Sequence, residues 1–175
     1  TSNDGKMITN YHVIEGANSV IAKSESGGIY PIKGLIATDS ANDLAVLEID
    51  GHNLPALNLG SSINLEAGQQ IFVIGSPLGL EGTLSDGIIS AVRKISGNNL
   101  WIQITAPISH GSSGSPVFNS QGEVIGVATM NLLGGQSLNF AIGIETVKHL
   151  LANIKDKTNF QSFPVLSVES NDIEN

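Results

Sequence analysis

The sequence predicts an all-β chain of many short strands, arranged as a sandwich or as barrels. Three observations predict it: short apolar or alternating runs recur along nearly the whole length, turn signals separate them, and one stretch alone carries a convincing helical period. In order, the candidate strands are KMITN (6–10), SVIAKS (19–24), YPIKGLIAT (30–38), LAVLEI (44–49) and IFVIGS (71–76). GIISAVRKI (87–95), LWIQITA (100–106), SPVF (115–118), EVIGVATMN (123–131) and LNFAIGI (138–144) follow. Asp4-Gly5, Gly27-Gly28, Asp50-Gly51, Gly68, Gly97-Asn98, Gln121-Gly122 and Gly134-Gly135 punctuate them, and Asp4-Gly5 suits a hairpin turn. A polar stretch near residues 51–70 divides the chain into two β lobes of similar size. The helix is IETVKHLLANI, after the last strand, with Val147, Leu150, Leu151 and Ile154 on one face. The tail SVESNDIEN is acidic and polar and reads as a frayed end or linker.

Composition narrows the function classes. A chain of 175 residues suits one domain or one two-lobed unit, and 41% apolar with 14% charged residues is globular. A formal charge of −8 argues against a nucleic-acid surface, which needs clustered Lys and Arg. Absence of Cys excludes thiol catalysis, disulfides and thiolate metal sites. Asp4, Asp39, Glu66, Asp86 and the tail acids are scattered without ligand spacing, so neither metal nor other cofactor is expected. No apolar run approaches membrane-spanning length and no signal peptide is visible. The opening TSNDGKMITN reads as the middle of a hairpin, so the first lobe is expected to lack one or two N-terminal strands.

HGSSGSP, residues 110–116, is the stretch that could carry chemistry. By composition alone it is a turn. A serine hydroxyl becomes a nucleophile only with a base to take its proton, a carboxylate to orient that base, and N–H donors for the oxyanion. Gly111 can take backbone angles that aim such a donor, and Gly114 allows close backbone approach. The base must come from four histidines. His12 follows a strand beside an expected single helical turn, His52 sits in a polar loop, His149 lies on the helix, and His110 opens the loop itself. Taken alone, each reads as structural or solvent-exposed. Asp43 opens the apolar strand DLAVLEI, where a buried carboxylate could meet a base, and the spacing leaves Asp39 open as an alternative.

Taken together, TNYHV, NDLAVLEI and GSSGSP stand in the order His, Asp, Ser. With IGSPLGLEGTLSDGIISAV (74–92), GEVIGVATM and LNFAIGIETV, they resemble the chymotrypsin-like serine proteases, and most closely the bacterial HtrA (Deg-type) branch, over about residues 5–155. The resemblance implies two six-stranded antiparallel β-barrels with an active site in the cleft between them and a C-terminal helix. On this reading residues 1–160 form a trypsin-like protease domain, with lobes at about 1–60 and 70–145, a helix at 145–155, and a tail at 161–175. His12 matches the base, Asp43 rather than Asp39 its orienting carboxylate, and Ser113 the nucleophile. Gly111 and Ser113 match the oxyanion-hole donors, with Ser112 completing the loop. The loop departs from the family pattern at His110, Ser112 and Ser115, where Pro, Asn or Asp, and Gly are usual. Without a carboxylate at 112, activation by insertion of a newly cut N-terminus is not expected.

Substrate preference follows from the same resemblance. Pro107 and Ile108 would lie at the base of the pocket for the side chain before the cut bond, with Met130 and Leu132 beside it and His110 within reach of substrate. None is acidic, so a small or medium aliphatic side chain is expected there. The resemblance implies an endopeptidase acting on unfolded or misfolded polypeptides outside the cytoplasm, in the periplasm or cell envelope. It further implies homotrimers and C-terminal PDZ domains, neither of which these residues support. The competing reading is a catalytically silent binding or chaperone-like module on the same fold. An esterase lacks support, since no strand-to-helix nucleophile elbow is present.

Overall fold

A computed structural model describes residues 2, 4–24, 27–51, 53–76, 82–96, 99–129, 138–154, 160 and 163. Strands β1 (Lys6–Thr9), β2 (Ile21–Lys23), β3 (Ile29–Asp39) and β4 (Leu44–Ile49) form an open antiparallel sheet in the order β1-β4-β3-β2. One helical turn, α1 (Tyr11–Ile14), follows β1, and a 3-10 turn (Ser40–Asn42) links β3 to β4. The other six strands are β5 (Gln70–Gly75), β6 (Thr83–Ser96), β7 (Asn99–Ile104), β8 (Pro116–Phe118), β9 (Val124–Thr129) and β10 (Asn139–Gly143). They close into an antiparallel barrel ordered β10-β7-β6-β5-β8-β9. Helix α2 (Ile144–Ala152) follows directly. The two lobes therefore differ: the second is a closed six-stranded barrel, while the first, expected to fall one or two strands short of a barrel, is a four-stranded sheet with β1 and β2 as its edges.

Three apolar clusters hold this arrangement, and each follows from the strand pattern. Inside the barrel, Ile71, Val73, Ile89, Ile102, Ile104 and Val117 are buried at alternate positions of four strands. The first lobe packs Leu35, Ala45 and Leu47 against Ile14 of the helical turn, which fixes the turn carrying His12 to the sheet. The third cluster lies between the lobes. Leu44 of β4 packs among Val124 and Val127 of β9, Ile142 of β10, and Ile144 and Val147 of α2. Leu44 is fully buried, so the residue after Asp43 is anchored in the second lobe's core.

Helix α2 begins one residue before the expected 145 and stops at Ala152 instead of 155. The Asn153 N–H donates to the carbonyls of His149, Leu150 and Leu151, closing the last turn. Lys148 Nζ donates to Gly60 O at 2.6 Å and to Glu145 Oε1 at 3.0 Å, and Ser61 Oγ donates to Glu145 Oε1 at 3.1 Å. These bonds tie the helix to the connecting stretch. The connection is itself docked on the barrel, for Gly60 N donates to Val124 O and Val124 N to Asn58 O. Beyond the helix, Phe163 packs against the first-lobe core, and Phe160 lies over Gly34, where a Cβ would sit 2.5 Å from its ring.

Candidate active site

His12 sits on α1, which starts directly after β1 and whose Ile14 is buried under the sheet. Asp43 occupies the left-handed region, φ +53°, at the end of the 3-10 turn. Non-Gly residues enter that region at a cost of about 1–2 kcal/mol, so the surroundings must hold it there. They do so densely. His12 Nδ1 lies 2.8 Å from Asp43 Oδ2 and 3.0 Å from Oδ1, while the His12 backbone N–H donates to Oδ1 at 3.0 Å. Thr129 Oγ1, from β9 of the other lobe, donates to Oδ2 at 2.8 Å. The Asp43 carbonyl accepts from Tyr11 N at 3.2 Å and from Asn10 Nδ2 at 2.9 Å. The carboxylate oxygens lie against His12 Nδ1 from two sides, so the Nδ1–H tautomer is the one that makes a bond here.

The serine loop consists of two successive tight turns. Ser112 N donates to Ser109 O at 2.9 Å, and Ser115 N to Ser112 O at 3.1 Å. Gly114 N donates to Ala128 O at 2.9 Å and Ala128 N to Ser115 O at 2.8 Å, which pins the loop to β9. Gly111 (φ +93°) and Gly114 (φ +83°) take the turns in the left-handed half of backbone space. A Cβ on Gly114 would meet Thr9 Oγ1 at 2.7 Å and Asn10 N at 3.5 Å, so the residue after Ser113 lies against the strand end that leads to His12. The loop that carries Ser113 is thus adjacent, across the lobes, to the strand end that leads to His12. Among the described residues no hydrogen bond joins Ser113 to His12, and the amides of Gly111 and Ser113 donate to no protein partner. The Ser112 amide, by contrast, is spent within its own turn.

Other expected positions are distributed differently. Ile108 is half-buried and packs against the barrel core, while Pro107 and His110 are exposed. Met130, Leu132 and His52 lie outside the described residues. His149 is exposed on α2, and Asp39 caps the 3-10 turn by accepting from Asn42 N at 3.1 Å and Asn42 Nδ2 at 2.7 Å. Asp39 therefore serves the turn and Asp43 the histidine. Sequence reasoning missed Thr129 and Asn10 as partners of Asp43. Thr129 lies 86 residues from Asp43, and nothing local marks it. Asn10 is fully buried, and its Oδ1 has no hydrogen-bond partner among the described residues.

The chain shares this architecture with known proteins. A family model for the trypsin-like peptidase domain matches residues 1–127. A putative serine protease, HhoB, of Synechocystis sp. is 38% identical over 163 residues, covering 89% of this chain and 39% of that protein. A probable periplasmic serine endoprotease, DegP-like, of Halomonas elongata is 37% identical over 161 residues, covering 89% and 34%. The solved structure of the HtrA-type protease AlgW with decapeptide superposes with a TM-score of 0.80 at 33% identity, covering 88% of this chain and 49% of that one. The chain spans less than half the length of each of these relatives.

Proposed function

The chain belongs to the trypsin-like peptidase family, and from that premise we propose that it is a serine endopeptidase of the HtrA/DegP type working through an acyl-enzyme. Ser113 Oγ attacks the carbonyl carbon of a peptide bond as its proton passes to His12 Nε2. His12 is held for this by the bond from Nδ1 to Asp43, whose charge stabilises the imidazolium. The oxyanion forms within reach of the Gly111 and Ser113 N–H groups, which have no partner to give up among the described residues. Collapse of the tetrahedral intermediate breaks the C–N bond, and the proton on His12 goes to the departing amine. Water then takes the amine's place, gives a proton to His12, and frees Ser113 with a carboxylic acid product.

One observation carries this reading. Three donors converge on the Asp43 carboxylate, one of them His12 Nδ1, and the serine loop packed against the strand end before His12 has two amides without a partner among the described residues. A loop kept only as a connector needs neither.

Substrates are unfolded or misfolded polypeptides, bound in extended form beside the serine loop. The side chain before the cut bond is small or medium and aliphatic, with Pro107 and Ile108 at the base of its pocket and His110 within reach of the substrate. The periplasmic names of curated relatives support an extracytoplasmic setting, and family resemblance supports a homotrimer.

A second reading is a silent binding module, and the missing Ser113–His12 hydrogen bond favours it. Casein hydrolysis separates the two. The endopeptidase cleaves unfolded casein, and Ser113→Ala does not. The binding module suppresses client aggregation without cleavage, equally in wild type and Ser113→Ala.

A further inference from the structure

Among the described residues two side-chain hydrogen bonds join the lobes, and they sit on neighbouring residues. One is Thr129 to the Asp43 carboxylate, and the other runs from Asn99 Nδ2 to Asn42 Oδ1 at 2.8 Å. Asn99 opens β7 in the barrel, and Asn42 ends the 3-10 turn immediately before Asp43. A cleft of about 940 Å3 opens here, bordered by Asp39 and Asn42 on one side and by Lys94, Asn99, Leu100 and His149 on the other.

The direction of this contact is fixed by chemistry. Asp39 Oδ2 accepts from Asn42 Nδ2 at 2.7 Å, and a carboxylate can only accept. The Asn42 amide must therefore present its nitrogen to Asp39 and its oxygen to Asn99. Asn99 must answer with its own nitrogen, which turns its oxygen toward Thr146 Oγ1 of α2, at 3.5 Å. Donors thus run one way from Thr146 through Asn99 and Asn42 to Asp39. The chain starts on the closing helix and ends on the turn that holds Asp43 in its left-handed conformation.

We propose that Asn42 and Asn99 are positioning residues that fix the Asp43 turn against the second lobe and so set the alignment of His12 with Ser113. The inference rests on the endopeptidase reading. His12 and Asp43 belong to the first lobe and Ser113 to the second, so their alignment is a relation between lobes. Small displacements of reacting groups are costly, on the order of 100-fold in rate for about 1 Å. The bond adds no group to the reaction and touches no substrate. Its effect falls on the chemical step rather than on binding.

The test reverses the polarity of the chain. In Asn99→Asp the new carboxylate faces Asn42 Oδ1, acceptor against acceptor, and Asp39 prevents the Asn42 amide from turning. Fluorophosphonate labelling and kcat on a peptide substrate are expected to fall about tenfold, with KM within about twofold. Adding Asp39→Asn supplies a donor at 39, lets the Asn42 amide turn, and restores the chain in the opposite sense at unchanged net charge. Labelling in the double variant is expected to return to within about threefold of wild type. Melting of each variant shows whether the comparison is between folded proteins. Should Asn99→Asp lose its fold, Asn99→Ala replaces it and is expected to slow labelling by a smaller factor. Wild-type rates in the single variant, or a folded double variant as slow as Asn99→Asp, would overturn the inference while leaving the endopeptidase reading intact. A wild type that does not label would remove both.

Discussion

At Asp43 three donors reach the carboxylate and two reach the carbonyl of the same residue, in a backbone conformation that a non-Gly residue adopts at a cost. Such over-determination is what an orienting group needs, because a carboxylate free to rotate would leave His12 without a preferred tautomer. Asp43→Asn keeps the size of the side chain but offers Nδ1–H an amide in place of a charge. The expected result is a kcat lower by about 10⁴ with the fold unchanged, read by peptide kinetics beside circular dichroism. The sequence made Asp43 visible because it stands directly before an apolar strand whose burial could be foreseen. It left Asp39 in contention, since the distinction lies in side-chain direction: Asp39 turns back onto the amides of Asn42, and Asp43 turns toward His12. Thr129 and Asn99 could not be found in this way. Each acts across 57 to 86 residues of chain, and only barrel closure brings them near.

At the level of elements, all ten strands were legible from alternation and turn residues, and their ends less so. Strand β6 begins at Thr83 rather than 87 because Asp86, polar and exposed, continues the ladder opposite Phe72. Gly87 in its interior looks like a strand start, yet a Cβ there would lie 2.4 Å from Ala106 N, so the glycine marks a close approach of two chains. Leu44, on β4, makes the interlobe core. Leu44→Ala is expected to lower stability by about 2–5 kcal/mol, read from denaturant unfolding, and to reduce labelling of Ser113 under conditions where the protein stays folded.

Among the described residues, helix α2 carries a clear pH effect. Burial alone would raise the Glu145 carboxyl, but hydrogen bonds from Lys148 and Ser61, the Lys148 charge and the Ser62 contact outweigh it and hold it below its ordinary value. A carboxylate so depressed contributes stability above its unfolded pKa, and loses it as pH falls through the lower folded value. Wild type should therefore melt above Glu145→Gln near neutrality, with the difference shrinking as pH falls past the ordinary carboxyl value and gone once it is below the lowered folded value. A difference that persists in acid would assign the effect to packing. Glu145 is only partly buried, which keeps the difference small.

In the whole molecule, two unequal lobes pack through one shared apolar core. The resemblance implies two six-stranded barrels with the first short of one or two strands, and the second lobe is complete because its six strands close on a continuous apolar interior. The first lobe is an open sheet, and its stability rests on α1, on the interlobe core, and on Phe163 packed beneath it. The polar stretch near 51–70 divides the lobes in the sequence, and it is bonded to β9 and to α2 through Gly60 and Ser61. Polar composition announced the change of lobe, while its docking depended on backbone groups that no side-chain pattern records.

The central claim is that Ser113 in this chain is activated by His12 and Asp43. Intact-mass measurement after exposure to a fluorophosphonate, on wild type, Ser113→Ala and His12→Ala, tests it most directly. A single adduct on wild type, absent from both variants, is the predicted result. A folded wild type that gains no adduct, or an adduct that survives Ser113→Ala, would contradict the claim.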